Sequence, residues 1–208
     1  MNALQALWLA LSPRFVFFQK ARVVLHAKMP ADAVNAAINS AQVLYAQTRG
    51  GLPAVAPVLR LVMHIMALDV ALYKVLLSRG WSPQQAGECI AQINWALFEG
   101  PTRFGHSLSR LRSADSLRRS QFLVDWMFKL AFTKPFVRQV HASAEGVSFD
   151  VTRCAFAEYF VAQGVPELTP HAACQLDYRM SEIWGVSLHR SQTIAQGQSL
   201  CDFRYRRR

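Results

Sequence analysis

A chain of 208 residues, 52% hydrophobic and 17% charged, can bury a real core in one large domain or two small ones, and it is not a disordered chain. The formal net charge of +10 gathers at Arg103, Arg110, Arg112, Arg118 and Arg119 and again at Arg204, Arg206, Arg207 and Arg208. No recognition-helix or base-stacking pattern accompanies it, which argues against a nucleic-acid partner and leaves a solvated surface, an anionic substrate, a carrier domain or an acidic membrane surface. Four cysteines with no CxxC spacing make no disulfide framework, so the expectation is a cytoplasmic protein with reduced thiols.

In chain order, the N-terminal apolar run lacks the basic start of a secretory signal and stops at Ser12-Pro13. Trp8, Phe15, Phe17 and Phe18 offer a peripheral membrane contact. The most apolar region, 55–77, is interrupted by Arg60, Asp69 and Lys74, so no transmembrane segment is expected. Helical spacing predicts a helix over 31–47, stopped by Gly50-Gly51 and Pro53, and a second over 56–78, ended by Gly80. A third starts with Ser82 as cap, Pro83 at the first position and Gln85 as capping-box partner. It is expected to run to Phe98, where Gly100-Pro101 closes it, with Cys89 inside as a buried structural thiol. The basic, serine-rich segment 102–120 reads as a mobile lid or linker leading to an aromatic helix over 122–132.

After Pro135 the period changes to alternation. Strands are predicted over 136–142 and 147–153, joined at Ala144-Glu145-Gly146, with Val147, Phe149 and Val151 on one face. A helix over 154–163 ends at Gly164. Thr169-Pro170 opens another over 171–184, ended by Gly185. A closing hairpin pairs 188–195 with 200–205 around Gly197. The order ββααββ predicts an α+β fold: a helical domain, 1–135, then a module, 136–208, whose mostly antiparallel sheet carries helices on one face.

Three features of that module point to chemistry. Cys154 opens a helix directly after a strand, where free N–H groups and the helix dipole favour a thiolate, and Glu158 lies one turn on, on the same face. Cys174 and Asp177 share a face of the next helix. On the last strand Cys201, Phe203 and Tyr205 point one way and Asp202, Arg204 and Arg206 the other. The three thiols are therefore expected to converge between sheet and helices, with Asp177 functional and Asp202 structural, pairing with Arg204 or a neighbouring strand arginine.

The strings FDVTRCAFAEYFVAQGVPEL, CQLDY and RSQTIAQGQSLCDFRY, spread over 149–205, resemble the L-2-amino-thiazoline-4-carboxylic acid hydrolase family. The resemblance implies a small-molecule carboxylate substrate and hydrolytic opening of a nitrogen- and sulfur-containing ring, or cleavage of a related C–N bond. The resemblance carries Cys154, Cys174, Asp177, Arg190, Thr193 and Cys201. With Glu158, one turn from Cys154, and His171, at the start of the Cys174 helix, the expected site is Cys154, Glu158, Cys174, Asp177 and Cys201, with Arg190, Thr193 and His171 on the substrate side. Two schemes stay open. In one, a Cys154 thiolate attacks and Glu158 or Asp177 is the acid/base. In the other, zinc sits between Cys154, Cys174 and Cys201, with His171 as base or fourth ligand. Arg190 is the candidate to grip a carboxylate. The cysteine grouping is also similar to vinyl-4-reductase-type sensor domains, so a non-enzymatic ligand- or zinc-binding domain is one alternative, and an enzyme of the same family whose chemistry is not hydrolysis is another. The oligomeric state stays open.

Overall fold

The computed structural model describes residues 3–143 and 146–208, and the side chains of the first helix from Pro13 onward. It forms two compact units, Met1–Leu97 and Phe98–Arg208.

The first unit holds α1 (Ala3–His26), α2 (Ala31–Thr48), α3 (Pro57–Ser78) and the start of α4 (Pro83–Arg110). On α2, Val34, Ala37, Ile38, Ala41 and Tyr45 make one buried stripe at helical spacing. By length and composition α3 is long and apolar enough to cross a bilayer, which the reading of 55–77 did not anticipate. Here it is the central packing helix, buried on nearly every side from Met66 to Leu76. Its interrupting charge, Asp69, is fully buried and accepts a hydrogen bond from Asn94 Nδ2 at 2.8 Å. Phe17 and Phe18 are buried too, so of the four aromatic residues read as a membrane contact only Phe15 is seen exposed. The Trp8 side chain lies outside the described residues.

The capping box at α4 forms as expected: the Gln85 N–H donates to Ser82 Oγ at 3.2 Å and the Ser82 N–H to Gln85 Oε1 at 3.0 Å. The expected stop at Gly100-Pro101 does not occur, and α4 continues to Arg110 with Pro101 inside it. A residue before proline is pushed out of the helix partly by its own Cβ, and Gly100 has none. An i,i+4 ion pair between Glu99 and Arg103, 2.8 Å, ties together the turn that contains Pro101. The segment 102–120 is consequently no open linker. It ends α4, turns at 111–115, and enters α5 (Ser116–Leu130), where Asp115 caps by accepting from the Arg118 N–H at 2.9 Å.

The rest of the second unit follows as β1 (Val137–His141), β2 (Gly146–Arg153), α6 (Ala155–Ala162), α7 (Gln175–Trp184), β3 (Val186–His189) and β4 (Cys201–Arg207). The strands form one antiparallel sheet in the order β1-β2-β4-β3, giving the α+β class. Of the expected 144–146 turn, residues 144 and 145 lie outside the described residues. In the β2–β4 register Val147 faces Tyr205, Phe149 faces Phe203 and Val151 faces Cys201. All six are buried, together with Leu123 and Val124 of α5 and Trp184 of α7. The period-2 alternation thus puts Cys201 on the same inward face as Phe203 and Tyr205. Gly146 is required at the head of β2, because a Cβ there would sit 1.9 Å from the Tyr205 carbonyl oxygen.

Two further expectations change. Thr169 does not cap: a 3-10 turn over Pro166–Leu168 runs straight into a π-helical turn over Pro170–Cys174, so Thr169 is itself helical. The strand expected over 188–195 stops at His189. Asp202 accepts from the Ser191 N–H at 2.9 Å, the Gln192 N–H at 2.7 Å and the Ser191 hydroxyl at 2.8 Å, and so draws those donors out of the ladder. Arg204, expected as the partner of Asp202, pairs with Asp150 at 2.8 Å instead.

Candidate functional site

Cys154 is the N-cap of α6, extended at φ −120°, where the chain leaves the sheet. It lies on the wall of a cavity of about 290 Å³ formed by the end of β2, the first turns of α6, the 166–169 turn and the connector between β3 and β4. Arg153 and Glu158 line the same cavity. They form a two-pronged ion pair, Arg153 Nε to Glu158 Oε1 at 2.6 Å and a terminal nitrogen to Oε2 at 3.1 Å. Both side chains are about half exposed.

Cys154 carries no thiolate at neutral pH. Burial pushes the thiol up to about 12, outweighing the Ala157 and Phe156 N–H groups that favour the anion without making a capping hydrogen bond. Burial also raises Cys174 and Cys201, and the nearby Asp177 charge adds to the effect in both. The Cys201 sulfur accepts from the Ile194 N–H at 3.2 Å, and Ile194 is itself on the cavity wall. Cys89, in the other unit, is fully buried and raised to about 11 for the same reason.

Behind this wall Asp177 and Arg190 form a pair: one terminal nitrogen of Arg190 donates to Asp177 Oδ2 at 2.8 Å and the other to the Cys174 carbonyl at 3.1 Å. Arg190, expected on a strand, stands just past the end of β3. Its side chain is only 2% exposed and lies against the Tyr178 and Phe203 rings, 4.8 and 4.9 Å from their centroids. Asp177 is raised to about 6 because enclosure by protein outweighs the favourable field and hydrogen bond of Arg190. Three thiols, one carboxyl and one guanidinium thus act on one another electrostatically.

The remaining expected groups face other work. Thr193 is buried and donates to Gln196 Oε1 at 2.9 Å, closing the turn that follows it. His171 lies in the π turn within 3.3 Å of Gln175. Among the described residues no group of three His, Cys, Asp or Glu is arranged to hold a metal ion, so the zinc site expected on Cys154, Cys174 and Cys201 does not fit this geometry. Reading by type and spacing passed over Arg153. Its signal was present in the sequence: a cation beside the cysteine that caps α6, five residues before a glutamate.

The L-2-amino-thiazoline-4-carboxylic acid hydrolase family model matches residues 60–205. The chain belongs to this family. The matched span contains every residue of the cavity wall and the buried pair behind it, and it reaches back through α3 and α4. No curated protein matches the chain.

Proposed function

We propose that this family member is a hydrolase that opens a small carboxylate-bearing ring of the 2-amino-thiazoline type, with Cys154 as nucleophile and Glu158 as acid/base. The observation that carries the reading is that these two, of the five catalytic candidates, line the same cavity. A thiol at about 12 needs a base at the moment of attack. In the first half-reaction the Glu158 carboxylate takes the thiol proton as sulfur bonds to C2 of the cyclic isothiourea. The bond from C2 to the departing ring atom breaks, and that atom takes the proton back from Glu158. Water then adds to the sulfur-bound carbon, giving a proton to Glu158. The carbon–sulfur bond breaks and the thiol recovers its proton, so one water is consumed per ring opened. Cys174, Cys201 and the Asp177–Arg190 pair support the cavity from behind. The four free cysteines suit a reducing, cytoplasmic setting.

The test is turnover of 2-amino-thiazoline-4-carboxylate by purified protein, with mass spectrometry of intact protein stopped in mid-reaction. Cys154→Ser and Glu158→Gln are expected to lower kcat by about 10²–10⁴-fold, and a mass increase on Cys154 marks the intermediate. Asp177, off the cavity lining, is expected to matter less: a larger loss for Asp177→Asn than for Glu158→Gln would move the acid/base role to Asp177. Full activity in Cys154→Ser would remove the covalent scheme.

A further inference from the structure

Which side chain reads the substrate's carboxylate has a different answer in three dimensions than in the sequence. Arg190 has both terminal nitrogens committed, to Asp177 and to the Cys174 carbonyl. Its guanidinium is packed between two rings and almost wholly removed from solvent. To turn toward a ligand it would have to leave the half-buried Asp177 carboxylate, the Cys174 carbonyl and both rings together. It is also absent from the cavity lining.

Arg153 differs on every count. Among the described residues it is the one cation on that lining, it is about half exposed, and it already holds a carboxylate in the fork geometry a ligand carboxylate would need. The carboxylate it holds belongs to Glu158, on the same wall. Exposed ion pairs of this kind contribute little to stability, so exchanging one carboxylate for another at the same two nitrogens is a small perturbation.

We infer that Arg153 is the carboxylate-binding residue of this cavity, and that a bound ring carboxylate displaces Glu158 from the Arg153 fork and thereby frees Glu158 for proton transfer. The inference rests on the proposed hydrolase reading for the identity of the ligand and for the task of the released glutamate. It adds a reason for the ion pair to be there: in the empty cavity Glu158 is held by Arg153, and only a substrate carrying its own carboxylate unlocks it. A ring lacking that group leaves Glu158 engaged, so selectivity would appear in kcat as well as in KM.

Two measurements on the full chain separate this inference from the reading beneath it. The first is calorimetric titration with thiazolidine-4-carboxylate, a ring acid without the isothiourea carbon, and with thiazolidine, which lacks the carboxylate. Wild type is expected to bind the acid, Arg153→Gln to bind it about 10–100-fold more weakly, the range for losing a hydrogen-bonded charge partner, and Arg153→Lys to fall between. Glu158→Gln, which removes the competing carboxylate, is expected to bind the acid several-fold more tightly. Both wild type and Arg153→Gln should bind thiazolidine equally weakly. The second is hydrolysis of 2-amino-thiazoline-4-carboxylate against 2-amino-thiazoline. Arg153→Gln should lose kcat/KM on the acid, gain kcat on 2-amino-thiazoline because Glu158 is no longer held, and abolish the preference between the two. Acid binding unchanged in Arg153→Gln, no acid binding by wild type, or weaker binding in Glu158→Gln would each overturn the inference. Arg153-dependent binding of the acid with no hydrolysis by wild type would keep the carboxylate site and discard the hydrolase reading.

Discussion

Replacing Asp177 with Asn decides how the buried pair behind the cavity is balanced. Two effects oppose each other there. The guanidinium of Arg190, 2.8 Å from Oδ2, favours the carboxylate; enclosure by protein disfavours it, and enclosure wins, moving the carboxyl from its ordinary 3.8 to about 6. A raised acid pKa means that the folded protein binds this proton more tightly than the unfolded chain does. The resulting stabilisation is complete below about 3.8 and is lost as pH rises through about 6. Over that window wild type should lose about 3 kcal/mol, two pH units at ~1.4 kcal/mol each. The Asn variant has no proton to lose at this position. Its Arg190 is left without a counter-ion at every pH, a constant penalty that cancels from the pH dependence. Asp115, Asp150 and Asp202, all held below their ordinary range, titrate in both proteins and cancel as well. The assay is urea unfolding of both proteins at pH 4, 5, 6 and 7, followed by far-UV circular dichroism. Wild type minus variant should fall by about 2 kcal/mol from pH 4 to pH 7, the part of the window that lies above the unfolded pKa. A difference that is flat, or that moves in wild type's favour with rising pH, would show that Arg190 outweighs burial and would refute the reasoning.

Other substitutions test the scaffold. Asp202→Ala should release the start of the β3–β4 connector, which carries Ile194 and its neighbours to the cavity, raising KM for a ring acid while cutting the unfolding free energy by about 1–2 kcal/mol through the exposed hydrogen bonds lost. Gly146→Ala places a methyl against the Tyr205 carbonyl and should destabilise by about 1–3 kcal/mol in a thermal melt; a neutral outcome would mean that the head of β2 relaxes freely. Cys89→Ala should leave turnover per folded molecule unchanged. In wild type, Cys89 should react with a thiol reagent at neutral pH only as fast as the protein unfolds, because the thiol is fully buried and raised to about 11.

Local patterns were legible where local physics decides. The Ser82–Gln85 box, the left-handed Gly185 that ends α7 and the inward parity of Val147, Phe149, Cys201 and Phe203 follow from one turn of helix or two residues of strand. One local rule failed: Gly100-Pro101 reads as a stop, yet Gly100 has no Cβ to strain the turn and the adjacent Glu99–Arg103 pair holds it. Wherever a distant group took part, the sequence misled as well. The 188–195 strand was cut short by an aspartate eleven residues from Ser191. Arg190 looked free to hold a ligand because nothing in its neighbourhood announces that Asp177, thirteen residues earlier, reaches it first. Arg153 was passed over because its value lies in what it shares with Glu158, and spacing alone does not say which wall of which cavity the two line.

Cys154 shows how magnitude overturns a qualitative rule. A cysteine at a helix start is expected to ionise easily, because each of the first N–H groups faces it and the dipole adds to them. Here the helix spans only Ala155–Ala162 and gives two such amides toward the sulfur. The dipole's contribution is confined to the first turn and rarely exceeds about 1 kcal/mol, or a little under one pH unit. Burying a thiolate costs several times that, and Asp177 and Cys201 add their own negative fields. The sum leaves the thiol near 12, three above its ordinary 9.0. An enzyme that relied on a standing thiolate would keep cations near that sulfur and open it to water. On this wall the neighbouring cation, Arg153, is instead paired with the Glu158 carboxylate, and the sulfur is buried. A nucleophile silent in the empty cavity and armed only by the correct ligand is protected from oxidation and from adventitious electrophiles, since both react with the thiolate. The high thiol pKa is therefore compatible with the proposed nucleophilic role, in which substrate binding frees Glu158 as the base.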